Sequence, residues 1–197
     1  MWKHDNATFS YEILWRAAHT ALTMAEVKDP RIRVDHLSMH SILTGFLAFE
    51  GFINFVGDEI APEIWKTERD FFSDPKFRGI VGKIEYLFTF FPNAELKKGA
   101  EPYQTFRRVK DTRDNLAHNR VLIYTEITSD EEWSFRTKWE DFDTPEKIKP
   151  ALLRLKEFAE IIRIEAVKLL NEDYALSHLH FKAFEGPVRG SEGEEIG

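Results

Sequence analysis

The stretch "KDTRDNLAHNRVLIY", residues 110 to 124, holds Arg113 and His118 with four residues between them, and Asn115 and Asn119 close by. An arginine is a permanent, forked cation, and a histidine is the side chain that exchanges protons near neutral pH. Such a pair has the makings of an acid–base or anion site. It also has the makings of a plain helix end, where an imidazole meets the last carbonyls and the negative end of the helix dipole.

Phase sharpens the choice. Phe106, Val109, Arg113 and Leu116 are spaced three, four and three apart, which puts Arg113 inside an apolar helical stripe. A guanidinium facing a core is costly unless it is paired or opens onto a solvated site. Glu50 poses the same problem on an earlier helix, lying between Phe46/Leu47 and Ile53 and one turn before Asn54. An Arg113–Glu50 ion pair is the plain structural expectation. His118 falls about 140° round the axis from Arg113. If the two cooperate, the helix ends near His118 or a second copy of the chain supplies the missing half.

The elements that must position these residues read as helices. Residues 6 to 29 form an amphipathic helix with Ile13, Ala17, Ala21, Met24 and Val27 as its apolar stripe, stopped by Asp29-Pro30. Asp35 is the expected N-cap of a second helix that is apolar nearly all round, and so central and buried, with Gly57 and Asp58 at its end. Shorter helices are expected over 62 to 72 and 83 to 91. The next, 102 to 118, starts on Pro102. Then the period changes. "RVLIYTEI" (120 to 127) and "WSFRTKWEDF" (133 to 142) read as two arms of a β-hairpin around "TSDEE". Asp143-Thr144-Pro145 opens a last long helix with Ile148, Leu152, Leu155, Phe158, Ile162, Glu165 and Leu169 in its stripe. The fold class is mainly α, as one domain over residues 1 to 184, with a disordered acidic tail from 185 to 197.

Composition agrees with a packed domain. Of 197 residues 43% are hydrophobic and 14% aromatic, including 17 Phe, which suits a core and not a disordered chain. The net charge of −7 gives no global basic field, so any nucleic-acid role needs a local patch. The absence of cysteine excludes disulfides and thiol nucleophiles and fits a reducing compartment. The stretch "MWKHDNATFSYEILW" has no uninterrupted apolar core of the length a secretory signal needs, and the most apolar stretch, 42 to 57, carries Glu50 and Asn54 and is short for a bilayer span. A soluble, cytoplasmic protein is expected, with no membrane partner.

Arg113-Asp114-Asn115-Leu116-Ala117-His118 resembles the signature of the HEPN superfamily, an arginine, a polar residue and, after a few more residues, a histidine. "FLAFEGFINFVG" is similar to the family's second core helix, where an acidic residue and an asparagine one turn on face the site, here Glu50 and Asn54. The likeness is one of helix order across roughly residues 6 to 170. It implies an up-and-down bundle of four or five helices, here with one β-hairpin inserted before the last long helix. It further implies a homodimer with two Arg–His motifs in a shared cleft. Many members are metal-independent endoribonucleases in toxin–antitoxin, phage-defence or RNA-processing systems, needing no cofactor; others are inactive binding modules. By that resemblance His118 would be the general base or acid and Arg113 would hold the scissile phosphate. Asp114 and Asn115 would orient them, with Glu50 and Asn54 in support. RNA, a second copy of the chain and an antitoxin or other protein are the implied partners.

Arg120 stands where one toxin branch carries a tyrosine that its antitoxin modifies. It would instead join Arg107, Arg108 and Lys110 in a local RNA track, although "FRRVKDTR" reads equally well as a solvated helix face. His36 and His40, four apart, have metal-binding spacing but no evident third ligand, and no metal is assigned. "HLH" at 178 to 180 reads as surface.

Overall fold

A computed structural model describes residues 10–27, 29, 31, 33–117, 124–126, 134–136 and 141–170. The chain is mainly helical. α1 (Ser10–Ala25) and α2 (Val34–Ile60) are followed by two four-residue helices, α3 (Pro62–Trp65) and α4 (Glu68–Phe71), and a 3-10 turn at Pro75–Phe77. Then come α5 (Gly79–Phe88), α6 (Tyr103–Ala117) and α7 (Pro145–Leu170). Between α6 and α7 two short strands, β1 (Tyr124–Glu126) and β2 (Ser134–Arg136), pair antiparallel with Thr125 opposite Phe135. The rest of the two expected arms lies outside the described residues, except Asp141 and Phe142, which form a 3-10 turn and not strand. The acidic tail also lies outside them.

α2 is the central element, packed chiefly on α1 and α7 and also touching α3, α5 and α6. Its 27 residues are enough, by length and composition alone, to cross a membrane, which corrects the expectation that this stretch is too short. In the fold, half of its most apolar window is buried. α2 also starts earlier than expected. Val34 opens it, no side chain caps it, and Asp35 sits in the first turn chelating Arg33 at 2.8 and 3.1 Å. Gly57 is interior to the helix, and a Cβ there would lie 1.9 Å from the Trp65 ring. It therefore seats an indole and does not end the helix.

The buried face of α1 is not the expected one. Tyr11, Trp15, Ala18, Leu22 and Ala25 turn inward, and of the expected stripe only Ala21 is buried with them, while Ile13, at 57% exposure, Met24 and, just past the helix, Val27 face outward. Two interleaved sets fit helical spacing, and the set with the two aromatic rings and a leucine buries more apolar area. On α7, Ile148, Leu152, Leu155, Phe158 and Ile162 are buried as expected, but Leu169 is exposed. The expected single helix over 62 to 72 breaks at Thr67, where the backbone leaves helical geometry (φ −113, ψ 25). The Thr67 hydroxyl bonds back to the Ile64 carbonyl, a local alternative to the helical ladder. α5 begins four residues earlier than read, at Gly79, whose φ of +62 is the left-handed conformation that turns the chain out of the 3-10 segment.

Two aromatic clusters fill the interior. Phe46 and Phe49 of α2, Tyr103 and Phe106 of α6 and Phe158 of α7 meet with centroids 5.4 to 6.1 Å apart. Trp65, Phe71, Phe72, Phe77, Tyr86 and Phe90 form the second, around α3 to α5. The first holds α6 on α2, and so positions Arg113.

Candidate functional site

α6 carries the motif. Phe106 and Val109 anchor its apolar stripe in the core, and one turn on that stripe meets Arg113. The Arg113 guanidinium lies over the Phe46 ring at 5.2 Å, a cation–π contact that replaces part of its lost hydration. One terminal nitrogen donates to Glu50 Oε2 at 2.8 Å and the other to Asp114 Oδ1 at 2.9 Å. Asp114 also accepts from Lys110 Nζ at 2.7 Å. The result is an alternating chain, Lys110–Asp114–Arg113–Glu50, that ties the end of α6 to the middle of α2. Burial works against the charged form of Asp114, but the Lys110 ammonium and the Arg113 guanidinium outweigh it and hold the carboxyl below its usual range.

The pair is neither buried nor fully exposed. The side chains of Arg113 and Glu50 retain 29% and 25% of their accessibility, so an anion could still reach the guanidinium. Asn115 is half-buried in the last described turn of α6. His118 and Arg120 lie outside the described residues, so the structure says nothing of the Arg–His distance.

Asn54 takes a different partner from the one expected. It sits one turn beyond Glu50 on α2, but its Oδ1 accepts from Lys83 Nζ of α5 at 2.7 Å. Lys83 also donates to Glu68 Oε2 at 2.7 Å and lies 5.6 Å from the Phe72 ring centroid. At 9% exposure it is a buried lysine neutralised in place. The α2 polar strip is thus shared, Glu50 serving α6 and Asn54 serving α5. Lys83 could have been found by the same phase test as Arg113, since it falls between Ile80 and Ile84 in an apolar helix. Glu68 carried no such signal.

The basic run of α6 does not form one open track. Arg108 donates to Glu101 at 3.1 Å, Lys110 is held by Asp114, and Arg113 by Glu50 and Asp114. Only Arg107 of the four has no hydrogen bond or ion pair with another described residue. His36 and His40 find no further metal ligand, since no group of three or more His, Asp or Glu among the described residues could hold a metal ion.

A separate cleft of about 440 Å³ opens on another side of α6, between its first turns and the start of α7. Compared with known proteins, the chain matches no family model, no curated protein and no solved structure.

Proposed function

We propose that this chain is a HEPN-like, metal-independent endoribonuclease, working in the cytoplasm as a homodimer whose two Arg113–His118 motifs face one cleft. In this reading the helices form the family's up-and-down bundle, and the short ladder is the core of a hairpin inserted before α7. The observation that carries the reading is Arg113 itself. An in-stripe guanidinium near the end of α6 is held by carboxylates on two sides yet keeps part of its surface open. A fixed, partly desolvated fork of this kind suits a phosphate diester.

The chemistry follows from the residue types. His118 takes the proton of a ribose 2′-hydroxyl as that oxygen attacks phosphorus, and an acid, the partner copy's His118, protonates the departing 5′-oxygen. The products are a 2′,3′-cyclic phosphate and a 5′-hydroxyl, with no metal in the scheme. Arg113 stabilises the charge that builds on the phosphoryl oxygens. Glu50 and Asp114 fix its orientation, with Asn115 beside them. Arg107 and Arg120 extend the phosphate contacts, and Arg108 and Lys110 contribute only by exchanging their carboxylate partners for RNA. An antitoxin or other protein partner would restrain the activity.

A second reading is favoured by the same ion pairs. A guanidinium already satisfied by Glu50 and Asp114 is also what a purely structural tie requires. The chain would then be an inactive HEPN-type helical dimer that binds RNA or a protein.

One assay separates them. Purified protein is incubated with single-stranded and structured RNA in EDTA, beside Arg113→Ala and His118→Ala. The nuclease reading expects cleavage that survives EDTA, leaves cyclic phosphate ends and is lost in both folded variants. Intact RNA throughout, or equal cleavage by the variants, rejects it in favour of the second.

A further inference from the structure

The 440 Å³ cleft is independent of the Arg113 cluster. Arg108 and Arg113 lie about 140° apart round the α6 axis, so the two sites open on different faces of that helix. Its size falls within the range of small-ligand sites, roughly 300 to 1,000 Å³.

Its lining brings two arginines, Arg108 and Arg154, to one cleft beside the carboxylates of Glu101 and Asp141. Arg108, on α6, donates from one terminal nitrogen to both Glu101 Oε1 at 3.1 Å and Thr105 Oγ1 at 2.7 Å. Glu101 is itself fixed, its other oxygen accepting from the Thr105 backbone N–H at 3.2 Å. That nitrogen is thereby occupied, while the side chain stays largely open to solvent. Its Nε–H and second terminal nitrogen have no hydrogen-bond partner among the described residues. Arg154 presents a second fork from α7, steadied by Glu157 at 2.5 Å. Arg154 is drawn above its ordinary pKa first by Glu157 and more weakly by Glu101, so the two walls lie within electrostatic reach. Two guanidiniums on neighbouring helices lining one cleft suit a phosphate better than a monoanionic carboxylate.

The rest of the lining narrows the class. Phe142, otherwise buried, and Pro150 give an apolar floor, which inorganic phosphate would not use. Asp141 adds a carboxylate with no hydrogen-bond or ion-pair partner among the described residues, an acceptor for hydroxyl groups. An anionic end, an apolar body and a hydroxyl-bearing edge are the parts of a nucleoside monophosphate.

We propose that this cleft binds a nucleoside monophosphate. The phosphate lies between Arg108 and Arg154, the base lies on Phe142 and Pro150, and the ribose hydroxyls donate to Asp141. The site works whether or not Arg113 supports RNA cleavage.

Calorimetric titration of the whole chain with adenosine and uridine monophosphates, beside adenosine and inorganic phosphate, tests this. At least one mononucleotide should bind saturably at one site, about tenfold or more tighter than its nucleoside or than phosphate. Arg108→Ala and Arg154→Ala should each weaken binding about tenfold, while Arg69→Ala on α4 leaves it unchanged. No saturable binding of either mononucleotide, or affinity unchanged in both cleft variants, overturns the site. Phosphate binding as tightly as the mononucleotides overturns its assignment to a nucleotide. Because RNA cleavage is not the readout, loss of the nuclease reading leaves this result standing.

Discussion

At the scale of single residues, Arg113 is an arginine that the core accepts on terms. Phe46 lies beneath it, and Glu50 and Asp114 each take one of its terminal nitrogens at 2.8 and 2.9 Å. Removing Glu50 alone leaves a half-buried guanidinium with one carboxylate fewer, and removing Arg113 alone leaves Glu50 without its cation. The costs of the two single changes should therefore sum to more than the cost of the double change. A double-mutant cycle with Glu50→Gln and Arg113→Met, read by urea denaturation, should give a coupling of about 1 kcal/mol, within the span found for residues in direct contact. A coupling near zero would mean the tie contributes nothing to the fold and the guanidinium is held for another purpose. The phase argument found both members of this pair from the sequence, because a charge within an apolar stripe is visible from spacing alone. It placed Asn54 on the same strip but could not pair it with Lys83, which phase marks on α5 and only packing brings to α2.

At the scale of elements, packing between helices decided what local pattern left open. α1 offers two interleaved apolar sets at helical spacing, and only contact with α2 selects the set with Tyr11 and Trp15. Gly57 shows the same dependence. In the sequence it reads as a helix stop, yet it lies within α2 and lets the Trp65 ring approach where any side chain would collide. Gly57→Ala should therefore destabilise the protein although alanine is the better helix former, by about 3 kcal/mol if Trp65 must leave its seat. The check is the thermal or urea midpoint of the variant. Unchanged stability would show that Trp65 is free to shift. Replacing the indole in the same background, Trp65→Leu with Gly57→Ala, should recover part of the loss.

At the scale of the whole molecule, the bundle carries a built-in response to acid. His19 of α1 has its Nε2 buried without a hydrogen-bond partner among the described residues, and its ring meets Trp15 edge to face. Burial first, then the charges of Lys156 and Lys149 on α7, hold its pKa below the ordinary 6.5. The folded state therefore binds this proton less readily than the unfolded chain does. Its contribution is intact above about pH 6.5 and declines as the pH falls below that value. Asp114, held below its ordinary 3.8, adds stability above that value, lost only as the pH falls through its lower folded-state pKa. The urea midpoint should thus drop between pH 7 and pH 5, and His19→Leu should flatten that drop. A variant that loses stability as steeply as the parent would place the acid sensitivity elsewhere. The sequence by itself determined the mainly helical class, the opening of α7 at Pro145, the central place of α2 and the two charges set into apolar stripes. Each of these is written in spacings of three and four residues or in a proline, and needs no knowledge of distant neighbours. Only the tertiary structure decided which face of α1 is buried, that Asn54 and Glu68 both accept from Lys83, and that Arg108 and Arg154 face one cleft. Those outcomes join residues 15 to 46 positions apart, and aromatic packing among separate helices sets which of them meet.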